Sequence, residues 1–128
     1  MKDSEIIAKA QELICHPIHW SKTDWCSRAS WSEARVDQFC IEGAVGEVLD
    51  LYDAQGLWRA GRDKERLRAD AIITELSQVA REIYPDVQRI ALGGKGSAQM
   101  LNDFSETTHE EVMALMDKTR GRLEEQGR

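Results

Sequence analysis

The residues of this chain best suited to chemistry lie between Phe39 and Gly56, in the stretch FCIEGAVGEVLDLYDAQG. Glu42, Glu47, Asp50 and Asp53 supply carboxylates, and Gly43 and Gly46 stand among them. Wound as a helix at about 100° per residue, the stretch separates into two sides. Cys40, Ile41, Ala44, Val45, Val48, Leu51 and Tyr52 form an apolar arc. Phe39, Gly43, Gly46 and Asp50 lie opposite, flanked by Glu42, Glu47 and Asp53. A glycine inside a helix costs about 1 kcal/mol relative to alanine, so the close approach of another backbone or a ligand should compensate. Two uses of this face follow. Glu47 and Asp50, three residues apart, point the same way and could hold Mg²⁺ through oxygen ligands. Alternatively the glycines admit another segment of the chain, or a partner, against bare backbone, and the carboxylates form a solvated rim.

Other constellations are weaker in pattern. Cys15, His16, His19 and Cys26 are of zinc-ligand types, but their spacing fits no common structural zinc template and Pro17 divides them. GGKGS, around Lys95, offers backbone amides and a cation to a phosphate, without the Walker spacing. Trp20, Trp25 and Trp31 crowd one segment. A base-stacking platform would need a basic stripe, and the charge around them is mixed, so Trp20 and Trp31 read as anchors on the core. Trp58 beside Arg59 and Arg62 has the composition of a binding hot spot. The candidate partner- or ligand-binding residues are therefore Glu42, Gly43, Gly46, Glu47, Asp50, Asp53, Trp58, Arg59, Lys95 and Asn102, with Glu47 and Asp50 as the minority Mg²⁺ pair. No catalytic set is marked: His109 falls in the first turn of the last expected helix, and no serine sits in an elbow motif.

The elements that must position these residues are helical. A chain of 128 residues fits one compact domain, 1–128, with a core that needs neither disulfide nor metal. Proline is scarce, helix formers abound and β-branched alternation is nearly absent, which predicts an all-α fold of four to five helices, orthogonal or bundle-like. The first helix should start at Asp3 or Ser4 and stop before Pro17. A second, opened by a Ser30/Glu33 capping box, should run from Trp31 to about Ala54, with Gly56 as its C-terminal cap. A third, capped by Asp63, should span Lys64 to Tyr84, burying Ala69, Ile72, Ile73, Leu76, Val79, Ala80 and Ile83 and exposing Arg66, Asp70 and Arg81. A short helix follows from Ser97. The last starts at a Thr108/Glu111 capping box and buries Val112, Leu115, Met116, Thr119 and Leu123. The tail, 124–128, should fray.

The net charge of −6 argues against a nonspecific nucleic-acid binder, which draws its affinity from cations on phosphates. No apolar run approaches the roughly 18 residues that span a membrane. Three cysteines without a secretion signal read as reduced thiols of a cytoplasmic protein.

Two resemblances extend this reading. VGEVLD resembles part of the ExxE/ExxD helix of the all-α nucleotide pyrophosphatases of the MazG type, which implies Mg²⁺ on Glu47 and Asp50 and cleavage of nucleoside triphosphates. The family's preceding acidic pair falls here on Gly43 and Ala44, and Glu75 is followed by Gln78 rather than an acid. More of the chain resembles an uncharacterised bacterial and phage family, a domain of unknown function. The matching positions are Cys40, Gly43 and Ala44, then Asn102, Asp103, Thr108, Glu111, Val112, Leu115 and Asp117. Phe39 and Leu101 replace tryptophans of its pattern, and Ser105-Glu106 its Pro-Gly turn. That resemblance implies a small helical protein of mobile elements and assigns no catalysis. The expectation is a non-enzymatic interaction protein that binds and inhibits a host protein, such as a defence complex. A homo-oligomer is compatible with the sequence. The alternatives are the Mg²⁺-dependent nucleotide hydrolase and a small-ligand-binding protein using Lys95, Asn102 and the glycine loop.

Overall fold

The computed structural model describes residues 1–29, 36–85 and 96–128. Among them are five α-helices and no strand; the fold is all-α. Helix α1, Asp3–Ile14, opens where Glu5 Oε2 accepts from the Lys2 amide at 2.9 Å. It stops ahead of Pro17, whose fixed φ suits the start of the 3₁₀ turn Pro17–His19. Helix α3, Asp63–Ile83, ends before Pro85 as the sequence predicts. Its cap is Arg62, while Asp63 and Glu65 lie in the first turn, where negative charge complements the helix dipole. Helix α4 is Ser97–Asp103, and α5 is His109–Glu125, opened by the expected Thr108/Glu111 capping box.

Helix α2 differs from expectation. It covers only Ile41–Val48, with the Cys40 thiol accepting from the Gly43 amide at 3.3 Å as its N-terminal cap. Residues 36–39 are not helical, and the Ser30/Glu33 capping box and Trp31 lie outside the described residues. The helix ends early because Asp50 adopts a left-handed conformation, φ 58°. The Leu51 amide then reaches the Gly46 carbonyl at 3.0 Å, and the Asp50 amide the Glu47 carbonyl at 3.0 Å. This is the Schellman closure usually made by glycine. Gly56, φ +83°, instead serves the turn that follows, where the Asp53 amide donates to Leu57 O at 2.8 Å and that of Arg59 to Leu51 O at 2.9 Å.

Helix α1 packs on α2 and α5, and α3 packs on α2, α4 and α5. Ile6, Ile7, Ile14, Val45, Leu76 and Leu115 are among the side chains fully enclosed between them. The predicted face of α5 is buried residue for residue, from Val112 to Leu123. The last residues, expected to fray, are docked. Arg128 pairs with Asp3 at 3.0 Å and Glu75 at 2.8 Å, and its carbonyl accepts from the Ser4 amide at 3.1 Å.

Gly121 is a mid-helix glycine that nothing in the fold requires. It lies inside α5, and a Cβ there would meet nothing within 4 Å. Gly121→Ala should raise stability by about 0.5–1 kcal/mol in chemical denaturation, the ordinary gain from removing a mid-helix glycine.

Candidate functional site

The glycines of α2 are covered by the chain itself. Residues 21–29 run across the start of the helix, where the Cys40 amide donates to Asp24 O at 2.8 Å. Ser21 Oγ accepts from the Asp24 amide at 2.9 Å, and Ser27 exchanges two 2.8 Å backbone bonds with Gln38. This path lays the Trp25 carbonyl on Gly43 so closely that a Cβ would sit 1.5 Å from its oxygen. At Gly46 the neighbour is the Tyr52 ring, 2.9 Å from the place of a Cβ. Both glycines are buried.

The carboxylates beside them are taken by arginines. Arg28 forks onto Glu47, with Nη2 donating to Oε1 at 3.0 Å and Nη1 to Oε2. It also donates from Nη2 to Asp53 O at 3.0 Å, tying the 21–29 loop to the end of α2. Asp50 accepts from Arg59 at 2.6 Å and Arg62 at 2.5 Å. The Asp53 carboxylate accepts from the amides of Leu57, at 3.0 Å, and Gln55, at 2.8 Å. These bonds hold its pKa below the usual carboxylate value, the one to Leu57 contributing most. Glu47 and Asp50 thus face different guanidinium groups.

Asn102 is buried and spans the fold. Its Oδ1 accepts from Trp20 Nε1 at 2.8 Å and the Ile41 amide at 3.0 Å, and its Nδ2 donates to Ser21 O at 3.0 Å. These contacts join α4 to the start of α2 and to the loop before it. His109 is likewise structural, its Nε2 2.6 Å from Ile14 O and its ring tilted at 56° to that of Trp20. His16 Nδ1 accepts from the Ile18 amide at 3.2 Å, and the His19 ring bonds Asp37 O at 2.7 Å. No group of three or more His, Cys, Asp or Glu among the described residues is arranged to hold a metal. Lys95 lies outside the described residues.

What the arrangement leaves open is a cavity of about 160 Å³ beside Gly46. Three aromatic rings bound it. Trp25 and Trp58 meet edge to face, centroids 5.3 Å apart and planes at 88°. Tyr52 leans on Trp58 at 5.2 Å and 46°. Glu42 from α2 and Asp70 from α3 add carboxylates to its lining, and Arg66 adds a guanidinium 5.2 Å from the Trp58 ring centre. The Tyr52–Trp58 backbone bridge fixes two of the rings across the 51–59 turn. Burial, helped by the thiols of Cys40 and Cys26 and the charges of Glu42 and Glu47, pushes the Tyr52 hydroxyl well above the ordinary phenol pKa, so it stays protonated. Of these residues the sequence marked Glu42, Gly46 and Trp58. Tyr52 looked like core and Arg66 and Asp70 like solvated helix; the usable signal was the pairing of aromatic residues on both sides of α2.

The thiols near this face are held protonated. Burial raises Cys40 from 9.0 to about 12, and Cys26 from 9.0 to about 11. Cys15 is exposed. Alkylation of the folded protein near pH 8 should therefore label Cys15 first, with Cys26 and Cys40 reacting after unfolding. Both of these thiols stay protonated in the folded chain after those of the unfolded chain ionise. Stability should hold below pH 9 and fall as the pH rises from 9 toward 11–12, read from denaturation midpoints.

The chain belongs to a family of unknown function, DUF6197, whose model matches residues 1–122. This accords with the resemblance to an uncharacterised family seen in the sequence. No curated protein and no solved structure matches it. No helix among the described residues is long and apolar enough to cross a membrane.

Proposed function

We propose that the chain is a non-catalytic recognition protein, and that its partner docks at the aromatic cavity between α2, the 51–59 turn and α3. One observation carries this reading. Trp25 and Trp58 remain 44 % and 49 % exposed although turns and ring contacts fix them in place. Trp, Tyr and Arg dominate binding hot spots because a large, rigid ring loses little conformational freedom on binding. Trp25, Trp58, Tyr52 and Arg66 supply that set in one place. A nucleotide hydrolase is disfavoured by the engagement of Glu47 and Asp50 with separate arginines, since a Mg²⁺ ion needs both carboxylates on one centre. A nonspecific nucleic-acid partner is disfavoured by the net charge of −6.

Affinity capture from host lysate tests the proposal, with wild type and Trp58→Ala as matched baits. A protein retained by wild type and lost by Trp58→Ala, at equal thermal stability, is the expected result. Equal retention by both, or no specific protein on either, overturns it. In its narrower form the proposal makes the partner a host defence protein and the chain its antagonist; a captured partner from another process removes that form alone. A nucleotide panel with Mg²⁺ should show no turnover, and turnover abolished by Glu47→Gln would establish the hydrolase instead.

A further inference from the structure

We propose that the cavity takes one tyrosine side chain of the partner protein, its ring seated among Trp25, Tyr52 and Trp58 and its phenol oxygen accepting a hydrogen bond from the Tyr52 hydroxyl. This rests on reading the cavity as the docking site and names the group that fills it.

Size selects a single ring. Sites for whole metabolites or drug-sized ligands run to roughly 300–1,000 Å³, whereas about 150 Å³ accommodates a benzene-sized guest. At about 160 Å³ this cavity matches the smaller class. The lining selects an uncharged occupant. Glu42 is already engaged within the chain, and Arg66 is held by Arg59 O at 2.6 Å, by Asp63 at 3.5 Å and over the Trp58 ring. Asp70 adds one carboxylate on an exposed helix position, so neither sign of charge prevails. A charged group entering here would lose its water without gaining a partner of its own. The walls select an aromatic one. Leu51, Ala69 and Ile73 offer water no hydrogen bonds, and the Trp25, Trp58 and Tyr52 rings, set at 88° and 46°, form a corner in which a further ring makes tilted or edge contacts.

The phenol follows from hydrogen bonding. Tyr52 lines the cavity, is only 4 % exposed, and its hydroxyl has no hydrogen-bond partner among the described residues. Burial keeps that hydroxyl protonated, so it is a donor in need of an acceptor. It lies 2.9 Å from the place of a Cβ on Gly46. Gly46 and Tyr52 are buried, while Trp25 and Trp58 are about half exposed, so the hydroxyl marks the inner end of the cavity. A partner's backbone stays at the outer end, and the acceptor must therefore be carried on the tip of its side chain. Phenylalanine carries none and the tryptophan indole only donates, whereas tyrosine carries an uncharged oxygen at the end of its ring.

Titration of the full chain, followed by NMR at the Trp25 and Trp58 indole N–H groups and the Gly46 amide, tests the assignment with four probes. These are the N-acetyl amides of tyrosine, phenylalanine, phosphotyrosine and 4-aminomethylphenylalanine, which share a ring and differ in what its tip carries. The tyrosine amide should bind at millimolar concentration, about three- to tenfold tighter than the phenylalanine amide and tighter still than either charged one. Tyr52→Phe should erase the preference for tyrosine over phenylalanine with unchanged melting, because the hydroxyl it removes bonds to nothing in the folded chain. Equal binding of the tyrosine and phenylalanine amides by wild type overturns the assignment. So does a preference that survives Tyr52→Phe, tightest binding of a charged probe, or no saturable shift with any of the four. If partner capture still depends on Trp58 after that, the docking site stands and its anchor is another residue. If the tyrosine amide binds as expected while no protein is captured, the docking of a protein partner falls instead.

Discussion

Gly43→Ala is expected to destabilise the protein by about 3 kcal/mol or more, or to prevent folding. The obstacle is backbone, not side chain. The new Cβ would lie 1.5 Å from the Trp25 carbonyl oxygen and 2.4 Å from its carbon. Relief requires moving residues 21–29, yet Asp24 O holds the Cys40 amide and Ser27 is paired with Gln38. Moving α2 instead disturbs Ile41, Ala44 and Val45, all fully buried. Chemical denaturation reads the loss directly. Gly46→Ala supplies the contrast, because its Cβ meets the edge of the Tyr52 ring at 2.9 Å, which can swing toward the cavity. It should cost less stability than Gly43→Ala while narrowing the cavity.

Asn102→Ala is expected to cost about 3–5 kcal/mol, which would lower the melting temperature by roughly 10 °C or more. Three buried or half-buried groups lose their partner at once: Trp20 Nε1, the Ile41 amide and Ser21 O. Each unsatisfied group costs on the order of 1–3 kcal/mol, and a cavity is added. The Ile41 amide matters most, since it is an orphan donor at the start of α2 that Asn102 alone satisfies among the described residues. Asn102→Asp keeps an oxygen to accept from Trp20 and Ile41 but loses the donor to Ser21 O and brings a second carboxylate beside Asp103, so it should recover only part of the loss.

These two positions show what the sequence could and could not reveal. Periodicity located α3 and α5 and the buried face from Val112 to Leu123, because a long amphipathic helix writes its core contacts at fixed spacing. The glycines of α2 announced that something approaches closely, but not that it is the Trp25 carbonyl, a contact between segments 18 residues apart in sequence. The end of α2 was hidden because Asp50 performs the left-handed closure expected of glycine, while Leu51 and Tyr52 continue the apolar pattern past it. Asn102 was marked as a ligand-binding candidate, since nothing in its neighbours signals Trp20 or Ile41. The cavity was legible only in part. Trp58 stood out beside its arginines, whereas Tyr52, Arg66 and Asp70 acquire their places from the way the 51–59 turn folds back over α3.

The glycine face of α2 is thus an internal joint, and the aromatic corner beside it is the docking site we propose. Native mass spectrometry of the protein recovered gently from its host tests this most directly, with wild type beside Trp58→Ala. The account predicts a bound mass on wild type that is absent from Trp58→Ala, with the charge-state distribution of a folded chain in both. Wild type recovered bare, or the same mass retained by both, would contradict it.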